Sequence, residues 1–471
     1  MSEIADWSLV ETADAIAARK VSAVEVTKAA LARIEKRQPR LNCFVRVDAE
    51  GALAAAAAAD KRQASGGPLG PLHGIPLAHK DMFYRPGAPV TCGSAIRRNF
   101  EPDFTATVLE RLDAAGAVTV GALNMSEFAN GPTGHNVHFG PTRNPWNTEH
   151  ITGGSSTGSG TAVAGRLVYG ALGSDTGGSI RLPAGICGVY GIKPTQGRVS
   201  RHGAMGLSFS LDNIGPLART VRDCARLLQV VAGPDSNDLT ASDLPVPDYE
   251  RELGGGVKGL RIAVATNHYW EGMSAEVGDV LDAALGEFGR LGASVQRRTV
   301  PHHDLLRGLG NIVSSVEFCT LHDDWLRNQH DSYAPLVRAR MKQGYAFTAV
   351  EYLKAVQVRP RIVADFVNDV FGSADALFLP VLRFPVPRIA DTDVGDSQGM
   401  NEVLGSINHC TWPINYLGLP GLAVPAGFTR NGLPVGFQLV GRPFAEALLF
   451  RMAAAYEEVT DWTSRRPSLE A

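Results

Sequence analysis

One segment constrains this chain more than any other: residues 153–194, GGSSTGSGTAVAGRLVYGALGSDTGGSIRLPAGICGVYGIKP. Two serine-bearing, glycine-rich turns close the ends of a single apolar stretch. Ser155 sits in the first turn and Ser179 in the second, 24 positions later. Residues 156–168 predict a helix with Ala and Val on one side, about 20 Å long at a rise of 1.5 Å per residue. Residues 169–175 predict a short buried strand, also about 20 Å long at 3.3 Å per residue. A helix that leaves and a strand that returns over equal lengths bring the two turns together.

A serine hydroxyl is a weak nucleophile until something removes its proton. A turn such as Thr176-Gly177-Gly178-Ser179 can aim several backbone N–H groups at one point, because glycine accepts unusual φ/ψ and close approach. Such a cluster of donors stabilises the oxyanion of acyl transfer. The turns also fit two plainer roles, a helix N-cap at Ser155 or Ser156 and a phosphate cradle, although no G-x-x-x-x-G-K-[ST] pattern is present. A base lies upstream, in residues 70–81, GPLHGIPLAHKD, where an apolar run ends in Lys80. An isolated lysine is ordinarily a solvated surface residue. Here the apolar run and the flanking Gly/Pro turns suit a buried strand end. Burial lowers a lysine's pKa, and a neutral lysine acts as a general base.

Taken together, GIPLAHKD, GGSSTGSG and GSDTGGSIRLPAGICGVYGIKPT resemble the amidase signature family of serine hydrolases. Supporting pieces are ALNMSEF at 122–128, TRNPWN at 142–147, GLPG at 418–421 and GLPVGFQ at 432–438, so the likeness runs from about residue 5 to 460. It implies a Ser–cis-Ser–Lys triad with Lys80 as base, Ser155 as the serine after a cis Gly154–Ser155 peptide, and Ser179 as nucleophile. It implies an oxyanion hole made by the N–H groups of Thr176, Gly177, Gly178 and Ser179. Residues expected to touch substrate are Met125, Gly131, Arg359 and Asn408. Arg359, in KAVQVR, matches a family arginine that binds a substrate carboxylate, and it reads equally as a helix-surface arginine. Asn408 stands where the glutamine-using members carry an Asp for the substrate's α-ammonium. An amide cannot supply that ion pair. Ser156 is expected to cap the helix, and Asp175 and Arg181 to form an ion pair that pins the turn. His79, Met82, Trp325, Tyr333 and Trp412 fit either a pocket wall or the core.

The alternation of strands and helices predicts an α/β fold: one large domain with a mixed, mostly parallel central sheet covered by helices on both faces. The whole chain, 1–471, reads as one domain, with a helical segment (1–65) packed on an α/β catalytic core (66–460). A capping box opens a helix near Ser22, with Glu25 three residues on. The formal net charge of −3 implies no basic face for nucleic acid. Six scattered cysteines without C-x-x-C spacing suit free thiols and a cytoplasmic location. No H-E-x-x-H occurs among the 12 histidines, so no metal and no cofactor are expected. The N-terminus lacks the marks of a signal peptide, and no apolar run reaches a membrane span. The expected partner is a small amide substrate; a homodimer is left open. The leading expectation is an amidohydrolase that cleaves a small-molecule carboxamide through an acyl-enzyme. Its alternatives are the glutamine-hydrolysing subunit of a tRNA-dependent amidotransferase, a ureido-type (carboxybiuret-like) hydrolase, and a non-catalytic interaction subunit.

Overall fold

A computed structural model of the chain describes residues 4–469; the outermost residues of the one-domain reading, 1–3 and 470–471, lie outside the described residues. Eleven strands form one sheet: β1 (Phe44–Val47), β2 (Pro76–Lys80), β3 (Val118–Leu123), β4 (Gly170–Asp175), β5 (Tyr190–Lys193), β6 (Asn213–Ala218), β7 (Arg261–Ala265), β8 (Ser294–Arg298), β9 (Ala376–Pro380), β10 (Gly421–Phe428) and β11 (Pro434–Val440). Their order across the sheet is β1-β3-β2-β4-β6-β5-β10-β11-β9-β7-β8. The α/β class and the single mixed sheet agree with expectation. The expectation of mostly parallel pairing does not survive. Parallel pairing is confined to β3-β2-β4 and β9-β7-β8. The centre, β4-β6-β5-β10-β11-β9, is antiparallel throughout. Strands β10 and β11 are joined by the short turn around Gly432, and a short connection leaves an antiparallel neighbour rather than a crossover.

Both faces are covered, and the side chains show it by alternating between separate apolar clusters. Leu77, Leu172, Leu422 and Val424 enter one cluster. Their neighbours Ala78, Ala171 and Ala423 enter another on the opposite face. The β7 edge repeats the pattern, with Ile262 and Val264 in the first cluster and Ala263 and Ala265 in a third. The outer strand β8 carries Arg297 and Arg298 and is largely exposed, which discourages pairing with another chain.

The segment 153–194 folds nearly as expected. Its helix spans Thr157–Ala164 and β4 returns from it. The helix is shorter than expected because Arg166 takes φ +57, and Arg166 N and Leu167 N turn back onto the carbonyls of Val163 and Ala162. That is a left-handed stop. The two turns meet: Ser156 N donates to Ser179 O at 3.2 Å.

Candidate active site

Lys80 ends β2 with no exposed surface. Its Nζ donates to Ser155 Oγ at 2.7 Å and to Ser174 Oγ at 2.9 Å. Burial pulls the Lys80 pKa down to about 7; the nearby charges of Asp212 and Asp175 and the Cys92 thiol oppose the shift. Near neutrality a large share of this lysine is therefore unprotonated and able to accept a proton. Ser155 is also fully buried, and the Gly154–Ser155 peptide is cis. Only glycine fits at 154, since a Cβ there would lie 2.3 Å from the carbonyl oxygen of Gly131.

The second turn is held from below. Asp175 accepts hydrogen bonds from the N–H groups of Gly178 (2.7 Å) and Ile180 (3.1 Å) and from Arg181 Nε (3.1 Å). Burial pushes the Asp175 carboxyl up, but the Arg181 charge and hydrogen bonds outweigh it and hold the group below the usual carboxylate range. Arg181, itself fully buried, also reaches Gln438 Oε1 (2.8 Å) and Asn415 Oδ1 (2.6 Å). The expected ion pair is present, and it ties the turn to β11 through Gln438 and to the helix Trp412–Leu417 through Asn415. Gly177 and Gly178 have no room for side chains: a Cβ would fall 2.1 Å from the Trp412 ring or from Thr411 Oγ1.

One consequence corrects the expected oxyanion hole. The Gly178 N–H is committed to Asp175 and points inward. Among the described residues no acceptor takes the N–H groups of Thr176, Gly177 and Ser179. Three donors remain where four were expected.

Ser179 is the one member of this turn that is not fully buried. It lines an open cleft together with Thr176 and Gly177. Gly131, Asn408 and Trp412 line the same cleft. Two other expected substrate residues do not. Met125 is buried in the apolar core. Arg359 is spent on structure: Nε donates to Tyr416 O (2.5 Å), Nη1 to Ser210 O (2.9 Å), and Nη2 to Gln196 Oε1. Ser156 does not cap its helix by a side-chain hydrogen bond. Its Oγ instead clasps β4, donating to Ser174 O (3.1 Å) and accepting from Ser174 N (3.2 Å). Trp325 and Tyr333 pack on Phe128 as core.

Two residues escaped sequence reasoning. Ser174 directly precedes Asp175 in the GSDTGGS block, so the signal was on hand. Arg340 carries no motif. Its half-buried guanidinium lines the cleft, and among the described residues it has no hydrogen bond and no carboxylate partner. Burial alone pulls its pKa down to about 10. Asn408, in the amide orientation its neighbours require, donates to the carbonyls of Leu404 and Gly405 at 3.2 Å each.

A family model described as Amidase matches residues 25–450. This chain belongs to the amidase signature family. It is an amidase, an enzyme that hydrolyses amide C–N bonds. A glutamyl-tRNA(Gln) amidotransferase subunit of Geotalea daltonii is 41% identical to this amidase over 99% of the chain and 100% of that protein. A solved chain from a vestigial protein complex, tied to the origins of an s-triazine catabolic enzyme, superposes with a TM-score of 0.89 at 35% identity, covering 99% of this amidase and 100% of that chain. A bacterial aryl acylamidase of the amidase signature family gives a TM-score of 0.88 at 28% identity, with 97% of each chain covered. Among the described residues no helix of the amidase is long and apolar enough to cross a membrane.

Proposed function

We propose that this amidase cleaves a small carboxamide that carries a carboxylate but no α-ammonium, through a Ser179–Ser155–Lys80 relay and an acyl-enzyme. The observation that carries the relay is the buried Lys80 Nζ at 2.7 Å from Ser155 Oγ, beside a turn that presents Ser179 to the cleft. Neutral Lys80 takes the proton of Ser155, and Ser155 takes that of Ser179. Ser179 Oγ bonds to the amide carbon, and the oxyanion rests among the N–H groups of Thr176, Gly177 and Ser179. The proton returns along the relay to the leaving nitrogen, the C–N bond breaks, and an ester to Ser179 remains. Water, deprotonated through the same relay, hydrolyses that ester and releases the acid.

Substrate class rests on charge. Arg340 offers an uncompensated positive charge in the cleft, which suits a carboxylate. Asn408 offers none of the negative charge that an α-ammonium wants, and a desolvated, unpaired ammonium costs several kcal/mol, on the order of the penalty for any buried unpaired charge. A second reading, a glutamine-hydrolysing subunit that works beside a partner chain, is favoured by the named relatives.

A panel of neutral, carboxylate-bearing, ureido and glutamine amides tests both. Ser179→Ala should lose at least about a thousandfold in kcat on whichever amide is turned over. Free glutamine should lag a carboxylate-bearing amide in kcat/KM, with Asn408→Asp narrowing the gap. Wild-type rates in Ser179→Ala would overturn the relay. Glutamine leading the panel in the unmodified protein would instead promote the amidotransferase reading.

A further inference from the structure

The hydrogen-bonded chain Ser155–Lys80–Ser174 has two ends, and one of them, Ser155, precedes Ser156, whose N–H donates to Ser179 O of the cleft-lining turn. The other is Ser174, which lines a second cavity of about 640 Å³. Among the described residues the two cavities share no lining residue. Hydrogen bonds run between residues around the two cavities. Ser155 and Lys80 are buried. Lys80 Nζ reaches Ser155 on the cleft side and Ser174 on the other. Thr176 of the cleft donates to Asp212 of the second cavity at 2.5 Å. The second cavity is also lined by Arg201, His202 and Asp238, and it reaches solvent at the exposed Asn237. The cavity opens to bulk solvent, and water that enters it meets Arg201, Asp212 and Asp238 on an otherwise mostly apolar wall.

The arrangement answers a need of the mechanism. Near neutrality both protonation states of Lys80 are populated, since burial brings its pKa to about 7 against the opposing charges of Asp212 and Asp175 and the Cys92 thiol. Only neutral Lys80 can start the relay. Once substrate fills the cleft, a protonated Lys80 has no path to water on that side. We propose that the second cavity is a proton-exchange port for Lys80, with Ser174 as the positioning residue that connects the two. The Lys80 ammonium passes one proton to Ser174 Oγ while the Ser174 hydroxyl releases its own to a water in the cavity. Neutral Lys80, an unchanged Ser174 and a hydronium ion result, and the hydronium leaves by way of the bulk. The inference rests on the Ser179–Ser155–Lys80 relay.

The test is kcat against pH at saturating concentration of the best amide in the panel, for Ser174→Ala, Ser174→Thr and the cavity-filling Ala204→Phe. Ala204 lines the second cavity and touches none of the relay. Ser174→Ala and Ala204→Phe should lose about tenfold below pH 7, where most substrate meets a protonated Lys80 that must first lose its proton, and less than twofold at pH 9, where Lys80 is already neutral. Ser174→Thr, which keeps the hydroxyl, should retain the wild-type profile. The solvent deuterium isotope effect on kcat at low pH should rise in the two impaired variants. A loss that is equal at all pH values would make Ser174 a structural prop only and overturn the port, as would an unchanged profile in Ala204→Phe. Failure of the relay itself would show separately, as turnover by Ser179→Ala.

Discussion

A lysine with no exposed surface is the residue on which this site depends, and its environment sets the pH at which the site works. Because burial depresses the Lys80 pKa to about 7 from 10.5, the neutral form gains with rising pH. Activity should climb about tenfold per unit below pH 7 and level off above it; a kcat profile flat from pH 5 to 9 would count against Lys80 as the base. The same substitution of burial for solvent acts on Arg340, but there no counter-charge sits nearby. Arg340→Gln should raise KM for a carboxylate-bearing amide by about ten- to a hundredfold, the 1.5–3 kcal/mol of a charge-assisted hydrogen bond, and leave a neutral amide unaffected. Equal losses on both substrates would mean that Arg340 shapes the cleft rather than reading charge. Neither role follows from the residue type. Lys80 was legible because a recognisable motif surrounds it. Arg340 was not, because nothing in VRARMK separates it from Arg338, a surface arginine that pairs with Asp331.

At the scale of elements, the turn 175–181 shows how glycine and an ion pair divide the labour. Asp175 and Arg181 anchor the turn to Asn415 and Gln438, and the glycines let it lie against Trp412 and Thr411. Gly177→Ala would set a Cβ 2.1 Å from the Trp412 ring. The indole must move, and it lines the cleft. We expect a loss of about 1–3 kcal/mol in stability by urea denaturation, the usual cost of overpacking, together with a fall in kcat. Unchanged stability would mean that Trp412 shifts freely. The antiparallel centre of the sheet belongs to this scale too. Alternation of strand and helix along the chain predicts parallel pairs, yet β10-β11 form a hairpin and β5 and β6 pair antiparallel between β4 and β10. The long loop of residues 194–212 that reverses the chain between β5 and β6 has no period to announce it.

For the whole molecule, two N-terminal helices are fastened by the same device. Helix Leu9–Ala17 has a capping box at Ser8, and the carboxylate of Asp223 accepts its next free donors, Leu9 N (3.1 Å) and Val10 N (3.0 Å). Helix Ala23–Leu41 has a capping box at Ser22, and Asp60 accepts Ala23 N (2.7 Å) and Val24 N (3.1 Å). A helix start leaves donors unsatisfied, and here a distant carboxylate takes up two of them, joining segments far apart in the chain. Asp223→Ala should cost about 1–3 kcal/mol, the penalty for stranding buried donors, and raise hydrogen exchange selectively across residues 9–17. Uniform exchange with no local change would show that apolar packing alone holds that helix.

What the sequence by itself determined is short in range. The glycine turns at 153–156 and 176–179, the capping box at Ser22 with its helix, and the apolar run into Lys80 all act through a few consecutive residues, so their geometry travels with their sequence. The meeting of the Ser155 and Ser179 turns was legible for the same reason, being set by one helix and one strand of equal length. Only the tertiary structure decided which side chains from distant segments share a space. It committed the Gly178 N–H to Asp175, bound Arg359 to the carbonyls of Tyr416 and Ser210, brought Arg340 to the cleft, and laid Ser174 between Lys80 and a second cavity. Those outcomes depend on the order of strands in the sheet and on which helix crosses which turn. Both come from the summed packing of three apolar clusters rather than from any local run of residues.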